Sequence, residues 1–132
     1  MDIPKPVGIK FNSFRDLDSW KYGRTLAVLV YRITNKFPPS ELYGLTNQMR
    51  RAAVSIPSNI AEGFRRKTSK DKLNFLRIAF GSGAELETQI EISRDLSFVN
   101  INDYTDLMNH IGIVLRIINK TIFVLEGKST IH

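Results

Sequence analysis

Residues 44–86 carry the strongest structural signal in the chain and read GLTNQMRRAAVSIPSNIAEG (44–63), FRRKTSK (64–70) and DKLNFLRIAFGSGAEL (71–86). Apolar residues recur with helical spacing on both sides of the cationic link at 64–70. Small residues, one proline and a few carboxylates fill the two flanking segments, and no reaction centre is evident in them. We therefore interpret the stretch as two helices of a bundle that binds or scaffolds rather than catalyses.

The helix that contains residues 44–63 is predicted to begin at Ser40 as its N-cap, with Glu41 favoured by the positive helix end. Pro57 lacks an amide hydrogen and crowds the preceding turn, but the apolar period passes through it in phase. The pattern therefore predicts one helix that is kinked near Pro57 and stops at Gly63. Backbone groups freed at the kink would be served by three polar side chains: Ser55, Ser58 and Asn59.

The next helix is predicted to start at Thr68 or Ser69, because Thr68 and Asp71 have the spacing of a capping box. Its apolar stripe consists of Leu73, Leu76, Phe80, Gly83, Leu86, Ile90 and Leu96. Gly81 and Gly83 each cost about 1 kcal/mol relative to alanine, which close approach of a neighbouring helix would offset. A phosphate-binding loop is disfavoured, since no strand precedes these glycines and no Gly-Lys-Ser/Thr follows.

The two outer helices follow from the same period. The first is expected over about residues 16–37, with Asp16 or Ser19 as its N-cap, and the fourth over about residues 102–127. Both have apolar arcs wider than one packing seam, and residues 26–31 are apolar nearly all round. Because a helix at the edge of a monomeric bundle does not need such an arc, we expect part of it to be buried against another chain.

Four helices with short connections predict an all-α protein, an antiparallel up-down-up-down four-helix bundle whose second helix is kinked near Pro57. The predicted organisation is an extended or mobile N-terminal arm at 1–13, the bundle at 14–127 and a C-terminal tail at 128–132. A chain of 132 residues fits one domain with a real hydrophobic core.

Composition excludes several classes of protein. The chain has no cysteine, so it has neither a disulfide framework nor a thiolate metal site. No run of about 18 apolar residues and no signal peptide are evident, which predicts a soluble cytoplasmic protein without a membrane partner.

The net charge of +6 is unevenly distributed. The first 84 residues hold fifteen basic and six acidic side chains (+9), whereas the last 48 hold four and seven (−3). Such a field steers polyanions toward one region of the surface. The alternative is that the two halves neutralise each other, within a subunit or between subunits.

Candidate metal and catalytic groups do not form a site in the sequence. Glu87, Glu91 and Asp95 are four residues apart, but a di-iron centre also needs Glu-x-x-His pairs on two helices, which this chain lacks. His110 has neither a nucleophile nor a placed acid beside it. We predict no catalytic residue, no metal and no cofactor.

Charged residues inside the helical pattern suggest a structural ion pair. Arg50 and Arg51 fall within a segment that otherwise resembles core, as do Glu62 and Glu85. We hypothesise that one of the two arginines turns inward and bridges to Glu62 or Glu85, which would fix the helix register.

The predicted nucleic-acid-binding residues are cations at a helix end, a helix start and on the first helix. They are Arg65, Arg66, Lys67, Lys70, Lys72 and Arg77, joined by Lys21 and Arg24, with Lys36 as a further candidate. Side chains and free amide groups can both face phosphate at such a place. The alternative is a solvated loop that is charged for solubility. No interleaved aromatic platform is evident, which predicts little base specificity.

Four segments closely resemble the bacterial four-helix bundle proteins that are often labelled intervening-sequence proteins of large-subunit ribosomal RNA. The segments are FRDLDSW (14–20), FPPSELYGL (37–45), QMRRAAVSIPSNIAEG (48–63) and IAFGSGAELETQ (78–89), and the similarity spans about residues 14–126. Gly83 and Ser93 depart from the usual pattern of that family without threatening the fold. The ribosomal label describes the location of the genes more than an activity.

The resemblance implies a small antiparallel bundle that assembles into a ring-like homopentamer. It also implies a relation to the accessory variability determinant proteins of diversity-generating retroelements, basic pentameric barrels that bind nucleic acid and a reverse transcriptase. We therefore expect a non-enzymatic oligomer that binds nucleic acid, in first place RNA. The alternative is a protein-interaction scaffold that docks a reverse transcriptase or another nucleic-acid-bound partner.

Overall fold

The computed structural model describes residues 11–127, and the predicted tail and the first ten residues of the predicted arm lie outside this range. The long elements are α1 (Asp18–Thr34), α2 (Asn47–Arg65), α3 (Ser69–Asp95) and α4 (Ile101–Leu125). A short turn at Phe14–Asp16 precedes α1, and turns at Pro39–Glu41 and Leu42–Thr46 precede α2. Both α1 and α3 pack on α2 and on α4. The protein is therefore an all-α, antiparallel up-down-up-down four-helix bundle, as the sequence predicts.

The core lies along the bundle axis and receives side chains from all four helices. The largest apolar side chains with almost no exposure are Leu26, Val30, Met49, Ile56, Ile60, Leu86, Ile90, Leu107, Ile111, Val114 and Ile118. Burying one such side chain contributes about 1.5–3 kcal/mol, so this interdigitated set accounts for a large share of the stabilisation. The helix α4 is also long and apolar enough to cross a membrane, with a mean hydropathy of 1.3. About 22% of this apolar segment is buried inside the structure, and its inward residues are part of the core.

The start of α2 differs from the prediction. Thr46, and not Ser40, holds the N-cap position of α2, and its side chain makes no capping hydrogen bond. Glu41 instead caps the preceding turn at Leu42–Thr46, because its Oε1 accepts a hydrogen bond from the amide of Leu45 at 3.2 Å. Gly44 has non-helical backbone angles (φ −109°, ψ −115°), which separates the turns at 39–46 from the regular helix. From Asn47 onward α2 continues through Pro57 as one element, and the predicted kink there stays a prediction.

Polar groups around Pro57 are used differently from the expectation. The Nδ2 of Asn59 donates to the carbonyl oxygen of Ser55 at 2.8 Å, and Ser55 Oγ lies 2.8 Å from Ser82 Oγ on α3. Ser58 is exposed. Ser55 therefore ties α2 to α3, while Asn59 supports the backbone next to the proline.

Two glycines mark places where helices approach closely. A Cβ on Gly83 would lie 2.3 Å from Leu115 Cδ2, so the predicted close approach is found between α3 and α4. A Cβ on Gly63 would lie 3.1 Å from Phe75 Cβ. Because α2 continues to Arg65, Gly63 is a position of α2 that contacts α3 and is not the predicted stop. Gly81 faces open space, so no close approach among the described residues explains it.

The buried stripe of α3 agrees with the prediction at Leu76, Gly83, Leu86 and Ile90 but differs at Phe80 and Leu96. Ala79 is completely buried, whereas Phe80 is 36% exposed and Leu96 is 53% exposed. The small side chain of Ala79 takes an inward position on α3, which packs extensively on α2. The predicted cap is confirmed, since Thr68 Oγ1 accepts a hydrogen bond from the amide of Asp71 at 3.1 Å.

At the other end of the chain, the predicted N-cap of α1 is wrong. Leu17 holds the cap position and makes no side-chain hydrogen bond to the helix. Asp16 belongs to the preceding turn, where its Oδ2 accepts from the amide of Ser13 at 3.3 Å. The outer side of α1 leaves Val28 and Tyr31 each 44% exposed, so part of its wide apolar arc remains uncovered within one chain.

Candidate nucleic-acid interface

The first group of predicted cations lies where α2 ends and α3 begins. Arg66 Nη2 lies 2.7 Å from Glu62 Oε1 one turn earlier, and the Arg66 guanidinium stacks 4.7 Å from the centroid of the Phe75 ring. Both members of the ion pair are exposed, so water screens their attraction. Arg66 therefore contacts Glu62 of α2 and Phe75 of α3.

Lys72 closes the end of α2. Its Nζ donates to the carbonyl oxygens of Phe64 at 2.9 Å and Gly63 at 3.4 Å. A cation at a helix C-terminus satisfies carbonyls that lack an intrahelical partner and interacts favourably with the helix dipole. Lys72 therefore has a structural role as a cap of the C-terminal end of α2.

Arg77, one turn and a half further along α3, reaches a distant part of the chain. Its Nη2 lies 2.6 Å from Glu126 Oε2 at the end of α4. The remaining cations of the group are exposed: Arg65, whose guanidinium lies 5.4 Å from the Phe14 ring, and Lys67 and Lys70. Within residues 11–127, neither Lys67 nor Lys70 makes an ion pair or a side-chain hydrogen bond. The predicted cluster thus divides into three engaged and three available cations.

The second group of predicted cations lies on the outer side of α1. Lys21 and Arg24 are exposed there, and Arg32 extends their line two turns further. These three residues and His110 of α4 line a groove of about 600 Å³ that no carboxylate lines. Among the described residues, none of these three cations forms an ion pair. The structure therefore keeps this row of charges facing solvent.

His110 and the acidic residues of α3 and α4 have simple structural roles. The Nδ1 of His110 donates to the carbonyl oxygen of Asp106 at 2.8 Å, since a carbonyl can only accept. Tyr104 donates to Glu91, and this hydrogen bond, with a smaller contribution from desolvation, raises the pKa of Tyr104 above its usual value. Across residues 11–127, no group of three or more metal-ligating side chains comes together.

A second groove, which sequence reasoning missed, lies between α1 and α2. It encloses about 700 Å³, with Trp20, Val28 and Tyr31 from α1 and Val54 from α2 among its lining residues. The ring of Phe14 meets that of Trp20 at a centroid distance of 5.3 Å and a tilt of 60°. Aromatic side chains therefore do come together in one groove, while the expectation of little base specificity stays a prediction. Phe14 lies in the turn before α1, so its contact with Trp20 had no sequence signal. Only the eleven-residue spacing of Trp20 and Tyr31, about three helical turns, was available as one.

The hypothesis of an inward arginine bridged to Glu62 or Glu85 is also wrong. Arg50 donates from Nε to Thr34 Oγ1 at 2.9 Å and from Nη2 to Asn35 Oδ1 at 3.0 Å, at the C-terminal end of α1. Arg51 and Glu85 line the same polar cavity, but they form no ion pair within 4.0 Å in this part of the chain. Arg50 fixes the position of α2 against the end of α1, where a helix favours a cation.

Comparison with known proteins gives a family and a fold. The family model of the 23S rRNA-intervening sequence proteins matches residues 15–120. A crystal structure from Bacteroides thetaiotaomicron VPI-5482, of a protein with unknown function from the S23 ribosomal protein family, is similar with a TM-score of 0.72. The two chains are 20% identical over 79% of this chain and 94% of the other, which shows a common fold. No curated protein matches this sequence.

Proposed function

Because this chain belongs to the 23S rRNA-intervening sequence protein family, we propose that it is a non-enzymatic, homo-oligomeric, cytoplasmic bundle that binds nucleic acid. RNA is the preferred ligand, and the contacts are mainly to phosphate. Contacts of this kind come chiefly from Arg and Lys side chains that have no closer anion. The family name refers to an RNA gene, and the net positive charge independently favours a polyanionic ligand.

The observation that carries this proposal is the set of cations without intramolecular anions. Five of them lie in the two predicted groups: Lys21, Arg24 and Arg32 on α1, Lys67 in the α2–α3 connection and Lys70 at the start of α3. Each cation that contacts an RNA phosphate releases a counterion, so the affinity for RNA depends steeply on the salt concentration. A solvated surface without a ligand would give no saturable binding.

A titration of fluorescent RNA and duplex DNA at several salt concentrations tests the proposal. Five phosphate contacts predict a slope of log K against log salt of about −3.5 for single strands and about −4.5 for duplex DNA. The proposal is contradicted if neither ligand binds at moderate ionic strength. A slope near zero with strong binding would equally contradict phosphate contacts as the main source of affinity.

We extend the proposal to self-association as a homopentamer. Ile78 is 50% exposed and Ile92 is 43% exposed, and both lie on one face of α3 with Gly81 open beside Ile78. Residues fourteen apart return to the same side of a helix, and a glycine there lets a second helix approach closely. Light scattering should report five subunits for the wild type and fewer for the double variant Ile78→Asp, Ile92→Asp. A monomeric wild type would contradict this part.

A protein-interaction scaffold is the second candidate, and the opposite end of the bundle favours it. Tyr43 is 90% exposed beside Leu42 in the α1–α2 connection, while Leu96 and Ile101 are 53% and 55% exposed around the α3–α4 turn. In an antiparallel bundle these two connections share one end, so the apolar residues can serve one partner, such as a reverse transcriptase. The scaffold prevails if no nucleic acid binds while a partner co-purifies with the wild type and is lost with Tyr43→Asp.

A further inference from the structure

We propose that the groove between α1 and α2 binds unpaired nucleotides of single-stranded RNA. In this arrangement bases stack against Tyr31 and Trp20, while phosphates contact Arg24 and Arg32. The inference rests on the proposed nucleic-acid function and narrows its ligand to single strands.

The groove has the size and the charge that such a ligand needs. Its volume of about 700 Å³ lies within the range of about 300–1,000 Å³ typical of ligand sites. Arg24 and Arg32 line it, Arg50 and Arg65 stack on its rings, and no carboxylate is among its lining residues. An apolar groove whose charged lining residues are both arginines is complementary to a ligand that combines aromatic bases with phosphates.

The aromatic rings are fixed before any ligand arrives. The guanidinium of Arg50 lies 4.6 Å from the centroid of Tyr31 and covers one face of that ring, yet the residue remains 44% exposed. Trp20 is held by Phe14 and by Arg24, whose guanidinium lies 5.6 Å from the indole. Rings that are already oriented lose little conformational entropy when a base stacks on them.

The spacing of the two rings suits a strand of several nucleotides. Trp20 and Tyr31 are eleven residues apart, which is about three helical turns, so both lie on the same side of α1 about 16 Å apart. Stacked bases follow each other at about 3.4 Å along a strand. Val28 and Val54 also line the groove and add apolar surface to it.

A duplex cannot use this groove in the same way. Its base faces are occupied by neighbouring bases, so it presents mainly sugars and phosphates to a protein. The arginines at the rim would still attract it, but the rings would contribute nothing. Preference for single strands is therefore the distinguishing property of the proposed site.

Trp20 provides a direct signal, because it is the only tryptophan in the chain. Its fluorescence should be quenched by a single-stranded RNA oligonucleotide of mixed sequence. A duplex RNA of the same length and polyphosphate, which has phosphates but no bases, should bind without comparable quenching. Equal quenching by all three ligands would overturn the proposal.

Tyr31 and Tyr22 form a matched pair for mutagenesis. Both are exposed on α1, at 44% and 42%, but only Tyr31 lines the groove. Loss of one base–aromatic stack is expected to weaken single-strand binding about fivefold to about 150-fold. Tyr31→Leu should show this loss without affecting duplex RNA or polyphosphate. Tyr31→Phe, which keeps the ring, and Tyr22→Leu should bind as the wild type does.

The outcomes separate this inference from the proposed function. If Tyr31→Leu binds single strands as well as Tyr22→Leu does, the stacking site is overturned, although salt-dependent RNA binding would survive. If the wild type binds no RNA, both proposals fail. If Tyr31→Leu remains folded by circular dichroism but changes the subunit number by light scattering, a second copy occupies the groove and the inference is overturned.

Discussion

The cations of α1 and those of the α2–α3 connection look alike in sequence but have different surroundings. On α1, Lys21 and Arg32 face a groove without carboxylates. At the connection, Arg66 pairs with Glu62 and Lys72 donates to carbonyls at the end of α2. The denser cluster in the sequence is therefore the one whose charges are more fully used inside the molecule.

This difference shows that density of charge along a chain does not measure what is available to a ligand. A helix end has unpaired carbonyls that attract nearby cations, and a helix–helix connection brings acidic residues within reach. The outer side of α1 brings no carboxylate to its cations, even at Arg32 in the last turn of the helix. Functional cations are therefore better sought on the exposed side of α1 than at the connection with the most basic sequence.

The largest predicted effect comes from removing the cations of α1. Replacing Lys21, Arg24 and Arg32 by glutamine should weaken RNA binding about 100-fold at about 0.1 M salt, because three released counterions contribute a slope of about −2. Fluorescence anisotropy over a range of salt concentrations measures both quantities. The matched control is Arg116→Gln with Lys120→Gln, since both residues are exposed on α4 outside the grooves. Equal losses for the control would contradict the comparison.

An intermediate effect is predicted at the connection, and it concerns stability instead of binding. Lys72→Met should lower the free energy of unfolding by about 1–2 kcal/mol, because the carbonyls at the end of α2 lose a charged donor. Urea denaturation measures the change. Lys70→Met, at an exposed position without a partner among the described residues, should stay within about 0.5 kcal/mol of the wild type. The opposite order would contradict the assignment of Lys72 to a structural contact.

The smallest predicted effect belongs to the ion pair between Arg77 and Glu126. Their nitrogen and oxygen lie 2.6 Å apart, but the Arg77 side chain is 51% exposed. A double-mutant cycle with Arg77→Gln and Glu126→Gln should give a coupling energy of about 0.2–1 kcal/mol, reduced by added salt. A coupling energy of zero at low salt would mean that Glu126 does not stabilise Arg77. Arg77 would then be as available to a ligand as the cations of α1.

Much of the fold could be predicted because the apolar period and the cap at Thr68 are local signals. The existence and order of the four helices follow from residues three and four apart, and Gly83 was identified by its unusual place in a helix. The start of α2 could not be predicted in this way. The deviation at Gly44 depends on how Glu41 reaches forward to the amide of Leu45.

The candidate site was harder to predict, because its properties depend on contacts between distant residues. Arg77 and Glu126 are 49 residues apart, and Arg50 reaches Thr34 sixteen residues earlier. No local pattern reveals which cation will find such a partner. The aromatic groove has the same origin, since Val54 of α2 completes a surface that α1 begins.

Whether RNA contacts the cations of α1 before those of the α2–α3 connection can be tested by following arginine side chains during binding. Nuclear magnetic resonance resolves Nε–H signals of individual arginines in a titration with single-stranded RNA. The Nε–H signals of Arg24 and Arg32 should shift at low RNA concentrations, while those of Arg66 and Arg77 should keep their positions. Early shifts of Arg66 and Arg77, with Arg24 and Arg32 unchanged, would contradict this expectation.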